Sequence, residues 1–336
     1  MGATGMSDGA LLVAALRDPA SVARLDARGW TELLAIARAE QMIGTLAHRL
    51  HGLPMPGAAA RILDDARQSA EQGRVAALWE AEMARRALAP LGIDLVLLKG
   101  TAFVAAGLSA GVGRAIGDLD ILVRRARIED AEAALLAAGW EWVKPDPYDD
   151  AYYRRWMHEL PPLIHRDRDR MIDVHHTILP PTARITPDAE GLLADSIALA
   201  DGVRMLSRED VLCHAVAHLF ADGDLAGGLR NLWDIHCLLD EFAEAGFAAR
   251  LNARAGHHGL GREMARALRL REALYVDGGG DTSLADRLYI RRLLARDGWG
   301  RQSRRGTRLA FYIRSHWLRM PPAMLARHLW TKFRKT

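Results

Sequence analysis

Two stretches, Leu97-Leu98-Lys99-Gly100-Thr101 and Gly117-Asp118-Leu119-Asp120-Ile121-Leu122-Val123, constrain this chain more than any others. The first ends an apolar run in a glycine turn that carries a lysine and a hydroxyl. The second sets two carboxylates, two positions apart, at the start of another apolar run. Side chains alternate along a strand, so Asp118 and Asp120 project from one face. Carboxylates held that close repel and raise each other's pKa unless they are protonated, paired or bound to a cation. Oxygen-only ligands suit Mg²⁺, which keeps several waters and commonly shares its site with substrate phosphates.

Phosphoryl-type transfer often uses two such ions, and the pair needs a further carboxylate. Asp173 is the candidate. It lies in Arg170-Met171-Ile172-Asp173-Val174-His175-His176, which follows Pro161-Pro162-Leu163-Ile164-His165 and a polar Arg166-Asp167-Arg168-Asp169 turn. The two runs predict a hairpin with Asp173 and His175 on one face and Ile172 and Val174 on the other. Lys99 is placed to contact phosphate, and Arg114 either to steady the glycine-rich connection or to neutralise phosphate.

In their order these residues resemble the nucleotidyltransferase superfamily, and within it the branch of uncharacterised nucleotidyltransferases. The superfamily pattern is a Gly-Gly or Gly-Ser turn, Asp-x-Asp or Asp-x-Glu on the next strand, and a third Asp on a later strand. Gly100-Thr101, Asp118 with Asp120, and Asp173 resemble those elements in sequence order. Leu-Lys-Gly at the turn, Arg114 four residues before the first acid, and Asp173 followed by His175 resemble the narrower branch. Thr101 stands where the superfamily has Gly or Ser, and Ala105 to Ala110 stand where the branch often has an aromatic. The likeness spans roughly residues 60–240.

What the resemblance implies is metal-dependent transfer of a nucleoside monophosphate from a nucleoside triphosphate to an acceptor hydroxyl, with release of pyrophosphate. Asp118, Asp120 and Asp173 would hold Mg²⁺ or Mn²⁺, and Lys99, Gly100, Thr101 and Arg114 would face the nucleotide. The expected acceptors are a small molecule, a peptide, a protein or RNA. The alternatives are a non-catalytic nucleotide- or peptide-binding module on the same fold, and a phosphoryl or pyrophosphoryl transferase. Replacing Asp118 or Asp120 by Asn is expected to abolish turnover and leave stability near that of the wild type.

Composition sets the frame. Of 336 residues half are apolar and few are aromatic, which favours helices over a sandwich or barrel. Two cysteines, Cys213 and Cys237, give no disulfide framework. With no spanning run and no leader pattern, the expectation is a cytoplasmic protein. The net charge of +3 hides ten Arg or Lys and no Asp or Glu in residues 301–336, which leaves −7 on the rest. That tail either docks its apolar side on the body or meets an acidic partner or surface.

Periodicity predicts helices through residues 10–50 and from Ala58 to Leu88, then a strand from Ile93 to Leu98. A helix opening at Thr101, a strand at Asp118–Val123, a helix at Ile128–Ala138, a strand at Trp140–Val143 and partial helix through Tyr148–Trp156 lead to the hairpin. Helices are then expected at 187–200, Glu209–Phe220, Leu229–Phe242, Phe247–Ala255 and Arg262–Leu274. The fold class is therefore α+β, a small mixed sheet forming a nucleotidyltransferase-like core at 91–180. A helical region precedes it at 1–90, and a helical domain with the basic tail follows at 181–336.

Other motifs carry less. Lys99-Gly100-Thr101 is no P-loop, because its lysine precedes the glycine. His214 and His218 lie one helical turn apart, a zinc-capable spacing with no evident third ligand. Arg230 and Asp234 share the same spacing and form at least an intrahelical ion pair. The branch resemblance places a comparable Arg-to-Asp helix beside the cleft, where the two would orient nucleotide or support the site.

Overall fold

The computed structural model describes residues 8–319 apart from 144–145, 200–201 and 221–222. The end of the basic tail, from residue 320 on, lies outside the described residues.

The N-terminal part is helical: α1 (Gly9–Arg17), α2 (Ala27–Ala39), α3 (Ile43–Arg49) and the long α4 (Gly57–Leu88). Asp8 and Asp26 cap α1 and α2 by accepting hydrogen bonds from Ala10 N and Gly29 N, satisfying amides that have no partner within the helix. Pro90 and the left-handed Gly92 (φ 63°) end the α4 segment.

The sheet-forming part follows as β1 (Val96–Leu97), α5 (Lys99–Ala105), β2 (Asp118–Leu122), α6 (Ile128–Ala137), β3 (Trp140–Trp142), α7 (Pro147–Trp156), β4 (Leu163–His165) and β5 (Met171–His175). Then come α8 (Ala189–Ala194), β6 (Ile197–Ala198) and β7 (Arg204–Met205). Among the described residues these strands make one seven-stranded mixed sheet in the order β3-β4-β5-β2-β1-β7-β6, which gives the α+β class. The 163–175 hairpin forms as the alternation predicts, with β4 antiparallel to β5.

Two readings of the chain need correction. The apolar run Ile93–Leu98 is buried, except Asp94, yet only Val96 and Leu97 form a ladder. Burial there is set by packing on both sides rather than by pairing length. The expected helix over 187–200 is shorter, because α8 stops at Ala194 and the chain turns into strands β6 and β7. β7 pairs in parallel with β1, so the sheet takes its last two strands from beyond residue 180.

Helices α9 (Arg208–Phe220), α10 (Gly228–Glu241), α11 (Phe247–His257), α12 (Gly261–Tyr275), α13 (Leu284–Leu293) and α14 (Arg305–Arg319) complete the described chain. Helices α9, α10, α11 and α12 pack on one another, and α10 also packs on the turn at Ser109–Gly111. The helical part is thereby fixed against the loop leading into β2. On α14, Leu309, Tyr312, Ile313 and Trp317 are exposed while Phe311 is buried, so the described part of the tail docks one side only. No helix among the described residues is long and apolar enough to cross a membrane. Cys213 and Cys237 are both free thiols.

The loop before β2 is also gripped from the N-terminal side. A Cβ on Gly44 of α3 would lie 2.5 Å from the carbonyl oxygen of Gly113, so the two backbones touch only because Gly44 lacks one. Gly44→Ala is expected to cost about 1–3 kcal/mol as an overpacked contact, read as a lower urea midpoint at unchanged slope.

Candidate active site

Strand register brings the three acids together. β2 and β5 run parallel with Asp120 opposite Asp173, and Asp118 stands two residues before Asp120 on the same face. One carboxylate oxygen from each of Asp118, Asp120 and Asp173 lies within 4.8 Å of the others. Asp118 is exposed, Asp173 half-buried and Asp120 buried. The alternate residues Leu119, Ile121, Ile172 and Val174 are at most 2% exposed. Those apolar contacts hold the pleat in the register that puts the acids together on the opposite face.

Lys99 opens α5 two residues after β1, with its backbone in the left-handed region (φ 49°). A lysine there carries backbone strain that glycine would not. Its Nζ donates to Asp120 Oδ1 at 2.6 Å. The same oxygen accepts from His175 Nε2 at 2.9 Å. Burial alone would push the Asp120 carboxyl up, but the adjacent Lys99 ammonium and the His175 hydrogen bond overrule it and hold the group far below the usual carboxylate range. Lys99 is raised in turn: burial disfavours its charge, and Asp120, with smaller help from Asp118 and Glu159, more than restores it.

Asp173 behaves in the opposite way. Burial, then the charges of Asp120 and Asp118, push its carboxyl up to about 7, with Lys99 offering partial relief. Two neighbouring acids on one sheet face thus carry strongly separated proton affinities.

These contacts correct the expectation for Asp120→Asn. The side chain is buried and bonded to two cationic-capable donors, so the amide loses stability as well as charge. A loss of about 2 kcal/mol is expected from weakened charge-assisted hydrogen bonds, seen as a lower melting temperature. Asp118, exposed at the strand start, lacks that structural burden.

The other expected nucleotide-facing residues spread over two layers. Gly100 is buried in the first turn of α5, where a Cβ would lie 2.5 Å from Arg114 Nε, so the glycine admits the arginine. Thr101 is buried, and its Oγ1 has no hydrogen-bond partner. Arg114 forms a salt bridge with Asp234 of α10 and lies over the Phe103 ring at 5.4 Å. Phe103 gives an aromatic near the place where Ala105 to Ala110 have none.

Arg230 sits one turn before Asp234, at 3.7 Å, and donates through Nη2 to the Gln41 carbonyl at 2.5 Å. Burial, with Arg114 adding, lowers its guanidinium to about 10 against the opposing pull of Asp234. Arg114, Asp234 and Arg230 therefore tie the β2 entry loop to α10 and to the α2–α3 turn.

Beside Lys99 lies a narrow cleft, with Phe103, Arg114, Asp234, His214, His218 and Asn231 among its lining residues. His214 is buried, and burial, followed by the positive charge of Lys99, keeps its imidazole well below its ordinary value. Among the described residues His214 and His218 belong to neither group of three clustered metal-capable ligands.

Sequence reasoning missed His158 and Glu159 altogether and left His175 without its partner Asp120. His175 was legible as lying on the acid face, but the segment 157–162 has no alternation that marks Glu159. Asn231 was equally silent.

None of the curated proteins matches the chain. A family model described as "Uncharacterised nucleotidyltransferase" matches residues 26–275, a span that includes the acids, the cleft and the helices α9 and α10 behind it. The chain belongs to that family of uncharacterised nucleotidyltransferases.

Proposed function

We propose that the protein transfers a nucleoside monophosphate from a nucleoside triphosphate to an acceptor hydroxyl, in a metal-dependent reaction. The observation that carries this reading is the meeting of Asp118, Asp120 and Asp173 within 4.8 Å. The donor set is all oxygen, and Asp173 is pushed up to about 7 by burial and its two neighbours. Such a group fits a hard divalent cation, whose binding would relieve the repulsion. The three carboxylates would hold Mg²⁺ or Mn²⁺, which when bound neutralises phosphate charge and acidifies a coordinated hydroxyl.

The rest is the work of the chain. The acceptor oxygen attacks the α-phosphorus, the bond from that phosphorus to the β-phosphate oxygen breaks, and pyrophosphate leaves. Asp173 also takes the acceptor proton, or helps to take it, as the hydroxyl attacks. Lys99 holds Asp120 oriented, and Phe103, Arg114 and His214 beside it supply the aromatic and basic groups that a nucleotide would meet. Arg114 and Asp234 fix the wall of the cleft, while Arg230 braces it from behind.

One contact favours a second reading. The Lys99 ammonium already neutralises Asp120 at 2.6 Å, which is what a non-catalytic nucleotide-binding module would retain. Incubating the protein with each labelled nucleoside triphosphate, Mg²⁺ or Mn²⁺ and fractionated cell extract separates the readings by mass spectrometry. Nucleotidyl transfer gives an acceptor heavier by a nucleoside monophosphate, with pyrophosphate released. Tight nucleotide binding with no pyrophosphate released supports the binding module. A product carrying phosphate or pyrophosphate alone makes the protein a phosphoryl or pyrophosphoryl transferase.

A further inference from the structure

Behind the acids lies a second convergence of ligand atoms, of a different chemical kind. His158, Glu159 and His175 each bring one nitrogen or carboxylate oxygen to within 4.8 Å of the others. His175 Nδ1 is 3.4 Å from Glu159 Oε2, and His158 Nε2 is 3.8 Å from the same oxygen. The two imidazole rings lie with centroids 5.2 Å apart. All three residues are held by backbone pairing at the end of β5: Glu159 bridges His175, and His176 N donates to the His158 carbonyl at 2.9 Å.

The His175 ring is also held from the other side. His175 Nε2 shares a 2.9 Å hydrogen bond with Asp120 Oδ1, and an imidazole that donates there keeps its other nitrogen for a second partner. That leaves Nδ1 turned toward a carboxylate oxygen. An imidazole whose far nitrogen donates to a carboxylate is the arrangement found behind metal-ligating histidines, where it fixes tautomer and ring orientation. A proton bridging Nδ1 and Glu159 would need one nitrogen only; here two nitrogens and an oxygen converge.

We propose that His158, Glu159 and His175 form a binding site for a borderline transition-metal ion of the Zn²⁺ class, adjoining the acidic cluster and joined to it by the Asp120–His175 hydrogen bond. Two histidines and one glutamate are an established zinc donor set with a fourth position left open. Nitrogen donors separate the site from the all-oxygen cluster, which suits Mg²⁺. An ion there orients His175 and, through it, Asp120. The proposal is independent of any transferase activity.

The test uses the full chain, stripped with a chelator and titrated with Zn²⁺ against a chromophoric competitor. Co²⁺ provides an electronic spectrum that reports nitrogen and oxygen ligation. The wild type should take one Zn²⁺ per chain at this site and melt at a higher temperature with it. Glu159→Gln, which keeps the side-chain shape, and His158→Gln should each weaken binding at least about 100-fold while keeping the wild-type circular dichroism. Asp173→Asn should bind as the wild type does. The proposal is overturned if the wild type retains no ion, if both Glu159→Gln and His158→Gln bind normally, or if Asp173→Asn alone abolishes binding.

Discussion

Asp118→Asn is expected to lower the proposed nucleotidyl transfer by at least about 10³-fold in kcat and to leave the melting temperature close to that of the wild type. The size of the loss follows from the chemistry. Phosphoryl-type transfer relies almost wholly on positioning and charge neutralisation, so one missing anionic ligand removes a large part of what the site supplies. Stability is spared because Asp118 is exposed at the first position of β2. Its substitution also removes one of the two like charges that push Asp173 up. Steady-state pyrophosphate release, alongside a thermal melt of the same preparation, reads both effects. Full activity in this variant would contradict the assignment of the acids, whereas a collapsed melt would show only that Asp118 has a structural duty.

The second large effect is the pH dependence carried by Asp173. Its carboxyl rises from 3.8 to about 7 in the folded chain, so between those values the native state keeps a proton that the unfolded state has lost. Stability contributed by this group therefore falls as pH rises from about 4 to about 7, the opposite of an ion-paired carboxylate. At 1.36 kcal/mol per unit, the full contribution is at most about 4 kcal/mol.

Asp173→Asn should accordingly match the wild type near pH 4 and exceed it in stability at pH 8 with chelator present. Mg²⁺ should recover much of the difference for the wild type at pH 8, where the carboxylate is free to bind it, and little at pH 5. Urea denaturation at the two pH values, with and without the ion, gives all the comparisons. A wild type that gains stability from pH 5 to pH 8 relative to Asp173→Asn would reverse the sign and refute the account of the acid cluster.

The parts of this structure legible in the sequence are those written locally. Alternation of Asp118 and Asp120 with Leu119 and Ile121 marked a one-sided strand. The 163–175 hairpin followed from alternation and a polar turn, and β5 then fell into register beside β2. Long helices such as α4 and α10 announced themselves by periodicity.

What escaped has physical causes. Strands β6 and β7 have two residues each, too few to show a period, and they exist because β1 offers an open edge. Lys99 was read as facing phosphate, whereas its 2.6 Å bond to Asp120 spans 21 residues of sequence. A lysine's partner is chosen by the fold, and nothing local distinguishes an ammonium that meets a ligand from one that meets a carboxylate. His158 and Glu159 are functional candidates only because backbone pairing joins them to the end of β5. Arg230 and Asp234 were legible as a helical pair, but the tie through Arg114 to the β2 entry loop was not.

In the proposed reaction the three acids hold divalent ions against a triphosphate. Anomalous diffraction at the manganese edge, from crystals grown with Mn²⁺ and a nucleoside triphosphate whose α–β bridge resists cleavage, tests it most directly. Manganese peaks coordinated by Asp118, Asp120 and Asp173, with the triphosphate beside them, are the expected result. Manganese bound elsewhere, with Lys99 still closing on Asp120 and the phosphates away from the acids, would contradict it.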